Sequence, residues 1–207
     1  MNKKNPPVAI VLGGTNPHVT LVNKLKKRGY YTVLIDYLPN PPAAKVADEH
    51  IKVSTMDQDA VLNISKSMNA RLVITTNIDH ANVTACYVAE KLGLPHPYSY
   101  ETSLNVTDKS RMKKIMWDND IPTSKYMVVT TINEVFEAGI SYPFILKPTD
   151  SNGSRGVHKC LSREDVVAYF LDSVAASKTG KVIVEQFVDG VEVSYYPYPR
   201  VRIVQPR

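Results

Sequence analysis

The chain has 207 residues, of which 43% are hydrophobic and 22% charged, with a formal net charge of +5. That composition excludes a disordered segment, a collagen-like fibre and a disulfide-stapled miniprotein, and a chain this long buries roughly 70% of its extended surface. The positive balance suits an anionic ligand without naming one, and it equally suits a solvated surface rich in lysine.

Val8-Ala9-Ile10-Val11-Leu12 is a continuous apolar run rich in branched residues, and it ends in Gly13-Gly14. Such a run predicts a parallel strand buried on both faces that leaves through a tight turn. It is also too short for a signal-peptide core (about 7–15 residues) or a membrane span (about 20). The two cysteines, Cys86 and Cys160, share no metal-ligand spacing and read as reduced thiols. The expectation is a cytoplasmic protein with no membrane partner.

Thr15-Asn16-Pro17 opens a helix that Gly29 closes, with Val19, Val22 and Leu25 at helical spacing. Tyr31 to Ile35 is a second strand, Ala43 to Glu49 a short helix and His50 to Val53 a third strand. Asp59 to Met68 is a helix, Leu72 to Thr75 a fourth strand and Asn82 to Leu92 a helix stopped by Gly93. Alternating strands and helices of these lengths predict a Rossmann-like parallel sheet covered on both faces, ending near residue 100.

The texture then changes to α+β. Thr107 to Asn119 is a charged helix capped by Thr107 or Asp108. Lys125 to Val129 is a strand, Ile132 to Ala138 a helix and Phe144 to Pro148 a strand. The polar loop Thr149 to Gly156 leads to a strand over Val157 to Leu161. Ser162 to Asp165 caps the helix Val166 to Ala176, and Val182 to Glu185 is a last strand. Tyr195 to Arg207 carries prolines that disfavour a central strand, and it reads as an atypical tail. The expected division is therefore 1–100, 101–194 and 195–207.

Four segments carry candidate chemistry. Gly13-Gly14 with Asp36 sits where a dinucleotide site places glycines and an acid, but Pro17 and His18 occupy the stretch that needs a third glycine. A tight turn touching a second substrate at Gly14 is the better fit. Thr76, Asn77 and Asp79 follow the fourth strand, where ligands of open parallel sheets collect, and they serve equally well as helix caps. His80 has no neighbours that complete a metal set. Lys147 ends an apolar strand, where a buried ammonium needs an anion, and Gly153-Ser154-Arg155-Gly156 follows it. This is either a phosphate cover built of backbone N–H groups or an ordinary hairpin turn; it is not a Walker loop. Glu185-Gln186-Phe187-Val188 and Glu192 are either a linker that reads an adenine edge and a ribose, or a strand, a turn and surface acids.

Asp108-Lys109, Ile145-Leu146-Lys147-Pro148, Gly153 to Val157 and Val184 to Glu192, in that order and spacing, resemble the ATP-grasp superfamily, which includes biotin carboxylase, the large subunit of carbamoyl-phosphate synthetase and D-alanine–D-alanine ligase. The resemblance runs from about residue 8 to residue 194. It implies that Lys109 and Lys147 bind the phosphates of ATP, with Gly153, Ser154, Arg155 and Gly156 as a lid. It implies that Glu185 meets the adenine amino group, that Gln186 and Val188 give main-chain contacts to the base with Phe187 between them in the ATP site, and that Glu192 holds the ribose. Gly14, Thr76, Asn77 and Asp79 become candidates for the acceptor substrate. The family joins a small carboxylate to an amine or thiol through an acyl phosphate, with Mg2+ bridging the phosphates. Its Mg2+ ligands follow the ribose acid, and no Asp, Glu or Asn follows Glu192 here. The resemblance therefore implies a C-terminally truncated form, catalytically weak or inactive alone; apolar surface exposed at the break would favour association, so a homo-oligomer is an expected partner state. A non-catalytic nucleotide- or partner-binding module is the alternative. Scattered basic residues and the absence of a reading motif argue against nucleic acid.

Overall fold

The computed structural model describes residues 5–191 and 193; Glu192 and the 195–207 tail lie outside the described residues. The first half contains β1 (Val8–Leu12), α1 (Asn16–Lys27), β2 (Tyr31–Ile35), β3 (Glu49–Ile51), α2 (Gln58–Ser67), β4 (Leu72–Thr75) and α3 (Asp79–Leu92). Its strands form a parallel sheet in the order β3-β2-β1-β4. Side chains alternate across the sheet, and both faces are dry. Ile10, Leu12, Val33 and Ile35 pack on one side with Val61 of α2 and Ala81, Ala85 and Val88 of α3. Ala9, Val11 and Leu34 pack on the other with Val22 and Leu25 of α1. Burial on both faces is why β1 has no polar residue to interrupt its run.

Where a helix is expected at 43–49, only a 3-10 turn forms, at Pro42–Lys45. Asp48 draws the chain onto β2 instead. Its Oδ2 accepts from the Thr32 N–H at 2.9 Å and the Thr32 hydroxyl at 2.8 Å, its own N–H donates to the Thr32 carbonyl, and Lys26 pairs with Oδ1 at 2.6 Å. A second difference is α4 (Tyr100–Thr107), unmarked in the sequence. Ser99 caps it by accepting from the Thr102 N–H, and Tyr100 sets its ring edge-on to Tyr87 of α3 at 5.2 Å. The helix expected over 107–119 therefore starts afresh as α5 (Lys109–Asp118). Asp108, extended at ψ 118°, breaks the helical run and accepts from the N–H groups of Ser110 and Arg111.

The second half contains β5 (Tyr126–Val129), α6 (Ile132–Glu137), β6 (Phe144–Pro148), β7 (His158–Cys160), α7 (Arg163–Ala175) and β8 (Val182–Gln186). The strands form an antiparallel sheet in the order β5-β8-β6-β7. Phe144, Leu146, Val182 and Val184 face a core closed by Val135 of α6 and Val166 and Phe170 of α7. Burial pushes the Cys160 thiol up to about 11, and it packs as an apolar core residue. Residues 145, 147, 183 and 185 alternate with these core positions and lie on the opposite face.

Two features of this frame give measurable consequences. His18 is fully buried beneath the β1 turn. The Thr75 hydroxyl spends its one proton on the Leu12 carbonyl at 2.5 Å, so His18 Nε2 must donate to Thr75, and unprotonated Nδ1 accepts from Thr15 at 2.8 Å. Burial lowers its pKa, opposed by the Leu12 carbonyl and Asp36. The unfolded chain then binds the proton more readily, so stability falls as pH drops below about 6.5. His18→Gln should flatten the slope of unfolding free energy between about pH 7.5 and pH 5 in urea titrations, leaving a residual slope from His80, which burial shifts the same way. Gly156 (φ +66°) lies so close to α7 that a Cβ there would sit 2.7 Å from Ala176 Cβ, whereas Gly153 (φ +67°) opens onto free space. Gly156→Ala should cost about 2–4 kcal/mol and Gly153→Ala about 1–2 kcal/mol, read from denaturant midpoints.

Candidate functional site

The outer face of the antiparallel sheet carries the charges. The β6–β8 register pairs Ile145 with Glu185 and Lys147 with Ile183, so Lys147 and Glu185 are diagonal neighbours on one face. Long side chains reach across that diagonal, and Lys147 Nζ forms an ion pair with Glu185 Oε2. No aligned hydrogen bond reaches Oε2. The other oxygen, Oε1, accepts from the Ser124 hydroxyl and meets Lys113 Nζ at 2.6 Å. Burial alone raises the Glu185 pKa, but Lys113, Lys147 and Ser124 outweigh it and hold the carboxyl below its usual range. The group is an anion at neutral pH, pinned through Oε1 and met at the buried Oε2 by the Lys147 ion pair alone.

This carboxylate borders a cleft of about 700 Å³ whose walls include Ser124, Ile145, Lys147, Phe187 and Val188. The Gln186 N–H donates to the Lys125 carbonyl at 2.9 Å and the Phe187 N–H to the Pro143 carbonyl, so both main-chain donors are engaged in or beside the sheet. Val188 stands exposed at the rim. Lys159 Nζ lies 3.6 Å from the Phe187 ring centroid and covers its face.

Lys109, the first residue of α5, converges on the same region. Its N–H donates to the Thr149 carbonyl at 2.9 Å and its ammonium to the Ser151 carbonyl at 2.5 Å, at the root of the 149–156 loop. Burial lowers its pKa first and the charge of Lys147 second. The two ammonium groups therefore repel each other, an arrangement that an anion placed between them relieves. The loop itself is tied at both ends. Asp150 accepts from the Ser177 hydroxyl and the N–H groups of Lys178 and Thr179, and the Gly156 carbonyl accepts from Ser173 at 2.8 Å. Between the anchors, Gly153, Ser154 and Arg155 are exposed, and Ser154 adopts φ 56°.

The candidates in the first half lie around the carboxyl ends of β1 and β4. Gly14 is packed shut: a Cβ would sit 2.4 Å from Pro41 and 3.1 Å from Asp36, so its close approach is to protein. Thr76 donates to the Asn77 side chain, and Asp79 Oδ2 accepts from Asn152 Nδ2 at 2.9 Å, joining this edge to the 149–156 loop. Lys113 and Ser124 escaped the sequence reading. Lys113 stands four residues after Lys109, hence on the same helix face, and that spacing was the available signal.

Among the described residues no group of three or more His, Cys, Asp or Glu gathers in a way that could hold a metal ion, so nothing described here supplies a ligand set for Mg2+. No helix among them is long and apolar enough to cross a membrane.

Residues 115–195 match the family model described as D-ala D-ala ligase C-terminus. The chain is 25% identical over 185 residues to the formate-dependent phosphoribosylglycinamide formyltransferase of Pyrococcus furiosus, covering 87% of this chain and 43% of that protein. It is 25% identical over 177 residues to the carbamoyl phosphate synthase large chain of Clostridium acetobutylicum, covering 82% of this chain and 16% of that one. Among solved structures, an ADP complex of N5-carboxyaminoimidazole ribonucleotide synthetase superposes with a TM-score of 0.71 at 22% identity, over 91% of this chain and 49% of that one. The L-amino acid ligase of Bacillus licheniformis superposes with a TM-score of 0.67 at 20% identity, over 91% and 46%. The chain spans less than half the length of these relatives. A parallel sheet followed by an antiparallel one bearing paired lysines and an acid, together with these matches, makes the chain similar to the ATP-grasp enzymes: in sequence over residues 115–195, and in fold over about nine-tenths of its length.

Proposed function

We propose that this chain is the ATP-binding portion of a carboxylate–amine or carboxylate–thiol ligase. The observation that carries the reading is the Glu185 carboxylate, buried between cations beside the cleft, with Oε2 paired to Lys147 but lacking an aligned hydrogen bond. An adenine amino group is the donor that such an acceptor lacks. Lys147 and Lys109 lie on the way from that acceptor to the loop, so a nucleotide with its base at Glu185 directs its phosphates between two ammonium groups. Gly153, Ser154, Arg155 and Gly156 then cover the phosphates with backbone N–H groups and a guanidinium. Gln186, Phe187 and Val188 form the edge and floor of the base site.

In this reading residues 1–100 present the acceptor, with Thr76, Asn77 and Asp79 at the edge that the loop already touches through Asn152. Gly14 shapes that edge by its packing on Pro41. A carboxylate oxygen attacks the γ-phosphorus, ADP leaves, and the acyl phosphate transfers its acyl group to an amine or thiol with release of phosphate. The lysines contribute by neutralising phosphate charge and holding the nucleotide in line. ADP in the complex of a solved relative, N5-carboxyaminoimidazole ribonucleotide synthetase, supports the nucleotide, and a synthetase and an amino acid ligase among the similar structures support the reaction class without naming the acceptor.

The test is nucleotide affinity measured by calorimetry. Lys147→Ala should weaken ATP binding about ten- to hundredfold, the loss of one charge-assisted contact. The fold should survive, because Glu185 keeps Lys113. Unchanged ATP affinity in this variant would remove the nucleotide from this cleft.

A further inference from the structure

Lys113 is the buried lysine among the described residues, only 5% exposed, yet it takes no part in the cleft wall. Its ammonium has three protons and a full set of acceptors: the Thr123 hydroxyl at 2.9 Å, the Ser124 hydroxyl at 2.7 Å, the Ser124 carbonyl at 3.3 Å and Glu185 Oε1 at 2.6 Å. The Tyr126 ring lies below it at 5.5 Å. A lysine so enclosed cannot reach a ligand and cannot leave. Lys147 differs on each count: it lines the cleft, and it meets Glu185 through Oε2 without an aligned hydrogen bond. One carboxylate thus has two cations, one fixed and one exchangeable.

We propose that Lys113 is a positioning residue: it is the permanent counter-ion of Glu185, which frees Lys147 for phosphate and aims Oε2 at an amino group on the purine. The inference rests on the nucleotide reading above and assigns that site's base preference to a residue outside the cleft. A buried carboxylate stripped of its only cation is strongly disfavoured. Without Lys113, the move of Lys147 toward a phosphate would leave Glu185 in that state, so the carboxylate would close on Lys147 and hold it. Base and phosphate recognition would fail together. With Lys113 present, Oε1 stays engaged by Lys113 and Ser124, and the carboxylate cannot swing. Oε2, released once Lys147 turns to phosphate, then discriminates by chemistry: it accepts from the amino group of ATP and repels the carbonyl oxygen that replaces that group in ITP.

The experiment compares ATP and ITP binding to the full chain by calorimetry. Wild type should prefer ATP. Lys113→Met should lower ATP affinity about ten- to hundredfold while affecting ITP less, so the ATP:ITP ratio collapses toward unity. Lys113→Arg should restore the ratio. Should the Met variant not fold, Lys113→Gln is read the same way, since it keeps hydrogen bonding toward Thr123 and Ser124 and removes only the charge. A merely structural lysine would weaken both nucleotides equally, so a folded neutral variant with the wild-type ratio overturns the proposal. Equal binding of ATP and ITP by wild type overturns the aiming of Oε2, and binding of neither overturns the nucleotide reading itself.

Discussion

A carboxylate placed where water is scarce must be neutralised, and the arrangement of the second half follows from that requirement at Glu185. Two elements other than β8 supply the charge: Lys113 from α5 and Lys147 from β6. Ser124, from the connection into β5, supplies the neutral donor. These partners lie on three separate stretches of chain, so the carboxylate acts as a node that fixes α5 against the sheet. Surface ion pairs elsewhere, such as Lys114–Asp118, contribute little by comparison because water competes for both partners. At Glu185 removing the acid leaves the buried Lys113 uncompensated, and removing Lys113 leaves the acid to Lys147 alone, which makes the pair a specifier of geometry more than a source of net stability.

The same requirement explains the unusual face of α5. Lys109 and Lys113 occupy its inward side, one at the root of the 149–156 loop and the other at Glu185. A helix that turns cations inward must turn other residues outward, and Met112, Ile115 and Trp117 are indeed exposed, Trp117 at 63%. Hydrophobic periodicity presumes that apolar residues mark the buried side. Here electrostatics overrode it, because the helix faces a charged cleft edge and not a dry core.

That inversion also separates what the sequence disclosed from what it concealed. The parallel sheet was legible because β1 and β2 are apolar on both faces, and the strand-and-helix alternation admits few topologies. The alternation in β6 was legible too: Phe144, Leu146 and Pro148 are inward, and Ile145 and Lys147 outward. Lys113 was not, since a lysine among lysines on a charged helix looks solvated, and only the four-residue step from Lys109 hints otherwise. The cap at Asp108 was one of the two candidates the sequence offered, but α4 running up to it was hidden. Helix propensity runs through Thr107 and Asp108 without a proline or glycine, and what stops α4 there is the capping demand of α5 together with the anchoring of Lys109 to Thr149. The missing helix at 43–49 was decided by Asp48 reaching Thr32, a contact between elements that no local pattern encodes.

The 149–156 loop shows how the two halves can work as one site. Its roots are anchored: Asp150 is bonded to residues 177–179 and Gly156 packs on α7 with no room for a side chain. Its crest is exposed and passes through left-handed conformations at Gly153 and Ser154. One side chain on the crest, Asn152, crosses to Asp79 at the start of α3. A cover with fixed ends and a free crest can respond to what lies beneath it without losing its place, because strain stays within three or four residues. The Asn152–Asp79 bond is exposed and neutral on one side, so it is weak enough to yield to a ligand at either edge.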